Sequence, residues 1–157
     1  MDAIDKLGLA TALAKARKSY QEGGIPIGAA LIHHGSSTAV GDAVVLGTGH
    51  NSRIQKSSAT LHGEIAALED CGRLKAGVYQ KSTMLTLNSP CLMCTGAILL
   101  YKIPRVVIGE NKNWVGGEDL LKSHGVEIIV VDDEECKKLM EAFIREKPDE
   151  WNEDIGE

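Results

Sequence analysis

Three metal-binding side chains and one carboxylate are concentrated in two short stretches of this chain. Leu61-His62-Gly63-Glu64 supplies an imidazole and a carboxylate, and Ser89-Pro90-Cys91-Leu92-Met93-Cys94 supplies two thiols. Structural zinc sites close all four positions with protein ligands, whereas catalytic sites keep one open for water. His62, Cys91 and Cys94 as ligands, with Glu64 beside the open position, therefore predict a hydrolytic metal centre. Thiolate with imidazole in a tetrahedral set suits zinc, and hydrolysis needs no redox change. A purely structural zinc staple would require a fourth ligand that the local pattern lacks.

Both stretches are predicted to open helices. The unpaired amides and positive dipole end of a helix favour the thiolate form of a cysteine placed there. Cys91 and Cys94, at i and i+3, share one side of the first turn and can grip a single ion. His62 and Glu64, at i and i+2, would diverge in mid-helix, but at a helix start His62 can face the metal while Glu64 stands beside it.

The elements that must position these groups follow from periodicity. Residues 3–22 carry apolar side chains at mostly helical spacing, stopped by Gly23-Gly24. Residues 25–32 and 43–50 read as strands, joined by a polar loop over 33–42. Residues 51–60 are polar and show no strong periodicity. A helix is predicted over 62–74, with Ile65, Leu68 and Cys71 available to the core. Then come a strand over 83–87, a helix over 91–101 opened by Pro90, and a strand over 105–109. A short helix over 117–124, a strand over 126–131 and a helix over 132–146 complete the pattern. This order predicts an α/β fold, a three-layer α/β/α sandwich around a central mixed five-stranded sheet.

The bulk properties narrow the function classes. The chain has 157 residues, 43% of them hydrophobic and 25% charged, which suits a single domain spanning 1–157. Its formal net charge is -5, so it lacks the basic excess of a protein that tracks phosphate backbones, and no nucleic-acid partner is expected. Apolar runs such as 128–131 are too short to span a bilayer, and Met1-Asp2-Ala3-Ile4-Asp5 lacks the basic start of a signal peptide, so no membrane partner is expected either. Two of the four cysteines belong to the metal motif. The others, Cys71 and Cys136, read as small core residues, consistent with reduced thiols and a cytoplasmic location, alone or with the nucleus.

Other candidates carry less. Gly47-Thr48-Gly49-His50-Asn51-Ser52 has Ser52 where a dinucleotide loop needs its third glycine, so it reads as a strand end. His33-His34 reads as a solvated pair in a polar loop, and His50 and His124 receive no role.

The pattern H-x-E followed by P-C-x-x-C marks the zinc-dependent nucleobase deaminases. Beyond it, the sequence closely resembles the yeast-type cytosine deaminases, small homodimeric zinc enzymes of pyrimidine salvage. The resemblance covers almost the whole chain. It includes Glu22-Gly23-Gly24-Ile25-Pro26-Ile27-Gly28, Gly49-His50-Asn51, Ser58-Ala59-Thr60-Leu61-His62-Gly63-Glu64, Cys94-Thr95-Gly96-Ala97-Ile98 and Glu153-Asp154-Ile155-Gly156-Glu157. It implies a cytidine deaminase-like fold, a homodimer, and one Zn2+ per subunit on His62, Cys91 and Cys94, with Glu64 as proton shuttle. Asn51 would bind a pyrimidine base through its side chain, Gly63 would donate its amide to the ring carbonyl, and the Ser89 region would line the exit of the amine. Residues 148–157 would close over the pocket as a lid, bringing Trp151 and Asp154 to the base, with Trp114 stacking on it and Ile27 on the opposite wall. The acidic tail alone, without the resemblance, reads as a frayed terminus.

Three departures stand out. The family has phenylalanine at the positions of Trp114 and Ile54 and an apolar residue at that of Asn88, and the segment 33–44 is longer here. The expected reaction is hydrolytic deamination of free cytosine to uracil and ammonia, with 5-fluorocytosine also accepted. Rival readings are another deaminase acting on cytidine, guanine or transfer-RNA adenosine, or a non-catalytic zinc-stapled scaffold. A scaffold has no need of Glu64 beside an open metal position.

Overall fold

The computed structural model describes residues 1–35 and 40–157. Its strands are β1 (Gly28–His33), β2 (Val44–His50), β3 (Ser82–Asn88), β4 (Arg105–Glu110) and β5 (Glu127–Val130). They form one sheet in the order β2-β1-β3-β4-β5. β1 runs antiparallel to both β2 and β3, while β3, β4 and β5 run parallel. The helices are α1 (Ala3–Gln21), α2 (Arg53–Lys56), α3 (Gly63–Cys71), α4 (Ala76–Tyr79), α5 (Leu92–Leu100), α6 (Glu118–Ser123), α7 (Glu134–Glu146) and α8 (Pro148–Asp154). The expected three-layer sandwich is what forms. No described helix is long and apolar enough to cross a membrane.

Alternation along the strands builds the two cores. Met84 packs with Ala67 of α3, Ile98 of α5 and Leu121 of α6 on one face. Leu85 packs with Ile4 of α1 on the other, and Leu87 joins Leu13 of α1 and Phe143 of α7 there. Two glycines set how near the helices come. A Cβ on Gly28 would stand 1.9 Å from the Ala12 carbonyl oxygen of α1, and one on Gly47 would stand 2.4 Å from that of Ala67 in α3. Both helices thus rest against the sheet backbone from opposite sides, an approach only glycine permits.

Several boundaries differ from the sequence reading for identifiable reasons. β1 begins at Gly28 and not at residue 25, because Pro26 offers no amide and the Ile27 amide turns back to the Ile25 carbonyl at 2.9 Å. α3 ends at Cys71, where Gly72 takes φ +67, and buries Gly63, Glu64 and Ala67; Ile65 and Leu68 are only partly buried, as is Cys71. The polar stretch 51–60 contains the one-turn α2, and α4 adds a second unforeseen turn. His33 is the last residue of β1, and the His34 ring meets the Thr83 hydroxyl, so the pair is not a free loop element. Residues 36–39 of the predicted loop lie outside the described residues. Ile98 is fully buried in the core, and Leu92, Met93 and Leu100 are the large apolar residues of α5 that face solvent.

One ion pair ties α1 to the sheet. Asp2 caps α1 and exchanges hydrogen bonds with Asp5, the reciprocal pairing of a capping box. Asp5, fully buried, also receives both terminal nitrogens of Arg105 at the start of β4. Burial works to raise its pKa, but the Arg105 guanidinium and the Asp2 amide outweigh burial and hold the carboxyl below its ordinary 3.8. A depressed carboxyl contributes stability that is complete above its ordinary pKa and is lost as pH falls through the lower folded value. Asp5→Ala, which leaves Arg105 only its exposed partner Glu127, should cost about 3 kcal/mol in urea unfolding at neutral pH. The gap between the two proteins should narrow as pH drops below 3.8.

Candidate active site

The parallel half of the sheet places its loops at the carboxyl ends of β3 and β4, the usual mouth of such folds. β3 ends at Asn88, and Ser89-Pro90 turns the chain so that Cys91 becomes the cap of α5. Cys91 has extended backbone angles, and its carbonyl accepts the Thr95 amide at 2.8 Å, which starts the helix and puts Cys94 in its first turn. His62 caps α3 in the same way, with its carbonyl taking the Ala66 amide at 2.8 Å. Neither side chain is used for capping, so both are free for ligation.

The two helix starts face each other. Cys91 Sγ lies 3.4 Å from His62 Nδ1, and the ligand atoms of His62, Cys91 and Cys94 all lie within 4.8 Å of one another. Tetrahedral zinc bonds of ~2.0 Å to nitrogen and ~2.3 Å to sulfur would set such atoms about 3.5 Å apart. Donor types and spacing therefore fit zinc. Of the three groups, Cys91 is the one whose surroundings favour its ligating form. The Cys91 thiol is drawn down to about 4, first by its hydrogen bond with Cys94 and, against burial, by His62. Cys94 is pushed up by the same pairing and by burial. Burial works to lower the His62 pKa, but the Cys91 sulfur and the Asp154 charge prevail and raise it.

Glu64 stands behind the cluster at 3% exposure. One carboxylate oxygen accepts the Thr86 hydroxyl at 2.9 Å, and the other lies 3.3 Å from Cys94 Sγ. Burial raises its pKa, which suits a group that must both take and give protons. The Gly63 amide begins α3, where helix amides have no partner in their own helix. A Cβ on Gly63 would stand 2.8 Å from the Ile27 carbonyl oxygen, so Ile27 closes that side.

The tail is ordered. Pro148 starts α8 at a position where its missing amide costs nothing, and Trp151 is buried against the α1 and α7 core. Asp154, 6% exposed, reaches the site. Its Oδ1 accepts Asn51 Nδ2 at 2.8 Å and lies 3.3 Å from His62 Nε2 and 3.4 Å from Arg53 Nη1. Burial raises the Asp154 pKa, opposed by these three neighbours. His62 thus turns Nδ1 toward the thiols and Nε2 toward a carboxylate, the outer support common around metal-bound histidine.

Trp114 meets Trp151 edge to face at 6.3 Å. Ser89 contributes its hydroxyl, which accepts the Gly116 amide at 2.9 Å and fixes the loop carrying Trp114. Asn88, polar where the resemblance implies an apolar residue, donates to Glu110 at 2.6 Å, and Glu110 also accepts the Lys112 and Asn113 amides that begin this loop. Ile54 packs against the α1 and α7 core. A cavity of about 500 Å³ opens between His62, Cys91, Trp114 and Asp154, and Asn51, Gly63 and Glu64 are buried. His62, Cys91, Cys94, Glu64, Asn51 and Asp154 are linked by direct contacts and Trp114 lines the cavity, while Trp151 lies in the α1 and α7 core, Ser89 holds the Gly116 amide and Ile27 lies against Gly63. Thr86 and Arg53 were not anticipated: one lies among continuous strand residues and the other in a stretch without periodicity.

Comparison with known proteins agrees with this geometry. The chain is 57% identical over 153 residues to cytosine deaminase of Candida albicans, covering 98% of this chain and 97% of that protein. It is 31% identical over 147 residues to a tRNA-specific adenosine deaminase of Streptococcus pyogenes, covering 86% of each. A guanine deaminase from Nitrosomonas europaea shares the fold, with a TM-score of 0.68 at 19% identity over 90% of this chain and 85% of the other. Residues 3–110 match the cytidine and deoxycytidylate deaminase zinc-binding region. With its ligand cluster, its buried glutamate and this match, the chain belongs to the zinc-dependent cytidine and deoxycytidylate deaminase family.

Proposed function

We propose that this protein hydrolyses free cytosine to uracil and ammonia. The observation that carries the reading is Asp154, brought by the last helix onto Asn51 and His62 at the mouth of the ligand cluster. A pocket closed in this way suits a small base and supplies a buried acceptor for a ring N–H. A nucleoside lacks that N–H, because its sugar occupies the nitrogen, and would leave the acceptor unpaired. The extensive identity to the Candida albicans cytosine deaminase supports the same substrate. Transfer RNA is a poor fit to a chain of net charge -5.

His62, Cys91 and Cys94 would hold one zinc ion per subunit. When bound, zinc supplies Lewis acidity, making water acidic enough to act as a nucleophile near neutral pH. Asn51, held at Oδ1 by the Arg53 amide at 3.1 Å, keeps its Nδ2 toward the pocket side that Asp154 occupies. The Gly63 amide would donate to the ring carbonyl. Glu64, oriented by Thr86, takes a proton from the attacking water as its oxygen bonds to the amine-bearing carbon, and delivers that proton to the ring nitrogen. It then moves the proton of the newly added hydroxyl to the amine. The carbon–nitrogen bond breaks, ammonia leaves past the Ser89 region, and a carbonyl remains. Trp114, Trp151 and Ile27 would wall the base, and residues 148–157 would act as its lid within one domain.

Ammonia release should be seen with cytosine and not with cytidine, guanine or adenine when the zinc-loaded protein is offered each separately. Turnover of cytidine or a purine in place of cytosine would overturn the substrate assignment. Glu64→Gln should keep its zinc, measured by metal analysis, while turnover falls by about 10²- to 10⁴-fold. Activity near the parent level would remove Glu64 from the proton path.

The same reading includes a homodimer in a reducing, cytoplasmic setting, consistent with four free cysteines. Leu92 and Leu100 on α5 are 73% and 71% exposed and Val115 is 58% exposed, apolar side chains that a second copy would cover. Leu100→Glu should shift the protein to a monomer in sedimentation, with Leu92→Glu giving the same change. A parent protein that sediments as a monomer would refute the dimer.

A further inference from the structure

Arg53 belongs to none of the motifs, yet it touches two of the residues assigned to bind the base, Asn51 and Asp154. Its amide donates to Asn51 Oδ1 at 3.1 Å, which fixes the orientation of that side-chain amide and commits Nδ2 to Asp154. Its guanidinium spreads over three acceptors. Nε donates to the Ala59 carbonyl at 3.0 Å, Nη2 reaches Glu153 at 3.1 Å, and Nη1 lies 3.4 Å from Asp154 Oδ1. The Ala59 carbonyl belongs to the loop just before His62, so one planar group is braced on the body of the protein and grips the tail.

The two carboxylate contacts are unequal. Glu153 is 69% exposed, and an ion pair there contributes little. Asp154 is 2% exposed in its side chain, so the contact to it is shielded from water. Oδ1 of Asp154 takes all three neighbours, Asn51, His62 and Arg53, while Oδ2 takes none of them. Resting on the cytosine reading above, we propose that Arg53 is a positioning residue. It clamps α8 in the closed place and turns Asp154 so that Oδ2 meets the ring N–H that separates a free base from an N-substituted one. The backbone arm to Asn51 survives side-chain substitution, so the guanidinium arm can be tested separately. Lysine keeps the charge but loses the rigid fork that serves three acceptors at once.

The test uses the zinc-loaded protein and the variants Arg53→Ala and Arg53→Lys, each checked for folding by thermal melting. Amide hydrogen exchange is measured over α8 and α7, and kcat and KM are measured for cytosine and for 1-methylcytosine. In both variants α8 should exchange about tenfold faster while α7 is unchanged. KM for cytosine should rise about tenfold with a smaller change in kcat, and the preference for cytosine over 1-methylcytosine should fall by a similar factor. Unchanged exchange in α8, or faster exchange with KM and preference intact, overturns the proposal. So does a loss confined to the melting temperature, the mark of a merely structural role. Rescue by lysine overturns the fork and leaves only a charge effect. If the parent protein is inert toward cytosine while α8 still loosens in the variants, the substrate reading fails and the clamp stands.

Discussion

Helix α3 can carry the chemistry only because it lies directly on the sheet. Side chains on β2 would hold it away, and the glycine at position 47 removes that obstacle, letting the Ala67 carbonyl come within backbone contact. The start of the helix is then close enough for Glu64 to reach Thr86 of β3 with no bulky residue between them. α1 approaches the opposite side of the same antiparallel edge at Gly28. The site is thus pinned at its back by packed backbone, a far stiffer support than a surface loop.

On that support, two helix starts do related jobs. Each begins with a residue in extended conformation whose carbonyl opens the helix and whose side chain remains available. The positive ends of both helices converge on the Cys91 and Cys94 sulfurs, so the fold supplies part of the compensation for placing negative charge in a buried spot. The raised carboxyl of Glu64 and the depressed thiol of Cys91 are opposite responses to this one region: burial dominates the former, hydrogen bonding the latter.

What the sequence disclosed follows from the length scale of each signal. Metal ligation demands particular residue types at short spacing, so His62, Glu64, Cys91 and Cys94 were legible without any structure. The long helices were legible from periodicity, as with α7, and the mixed sheet from the succession of strands and helices. α2 and α4, of four residues each, are too short to display a period. The turn at Pro26 depends on a hydrogen bond between its neighbours, and the depth of α3 depends on glycines in a strand far from it. The tail carried the weakest signal: a short acidic segment looks frayed until Trp151 has a core to enter. Arg53 was invisible for the same reason, since its partners lie about a hundred positions downstream.

The bond between Asn51 and Asp154 spans 103 positions. A chain made from its N-terminus acquires Glu64 first, then both thiols by Cys94, and the acceptor carboxylate only with α8. For much of its synthesis it therefore contains every reactive group and none of the selectivity. Contacts this distant in sequence form late, because loop closure must be met before they return anything. Recognition of the substrate thus matures after the chemical groups are in place, and its integrity reports that the whole chain has folded.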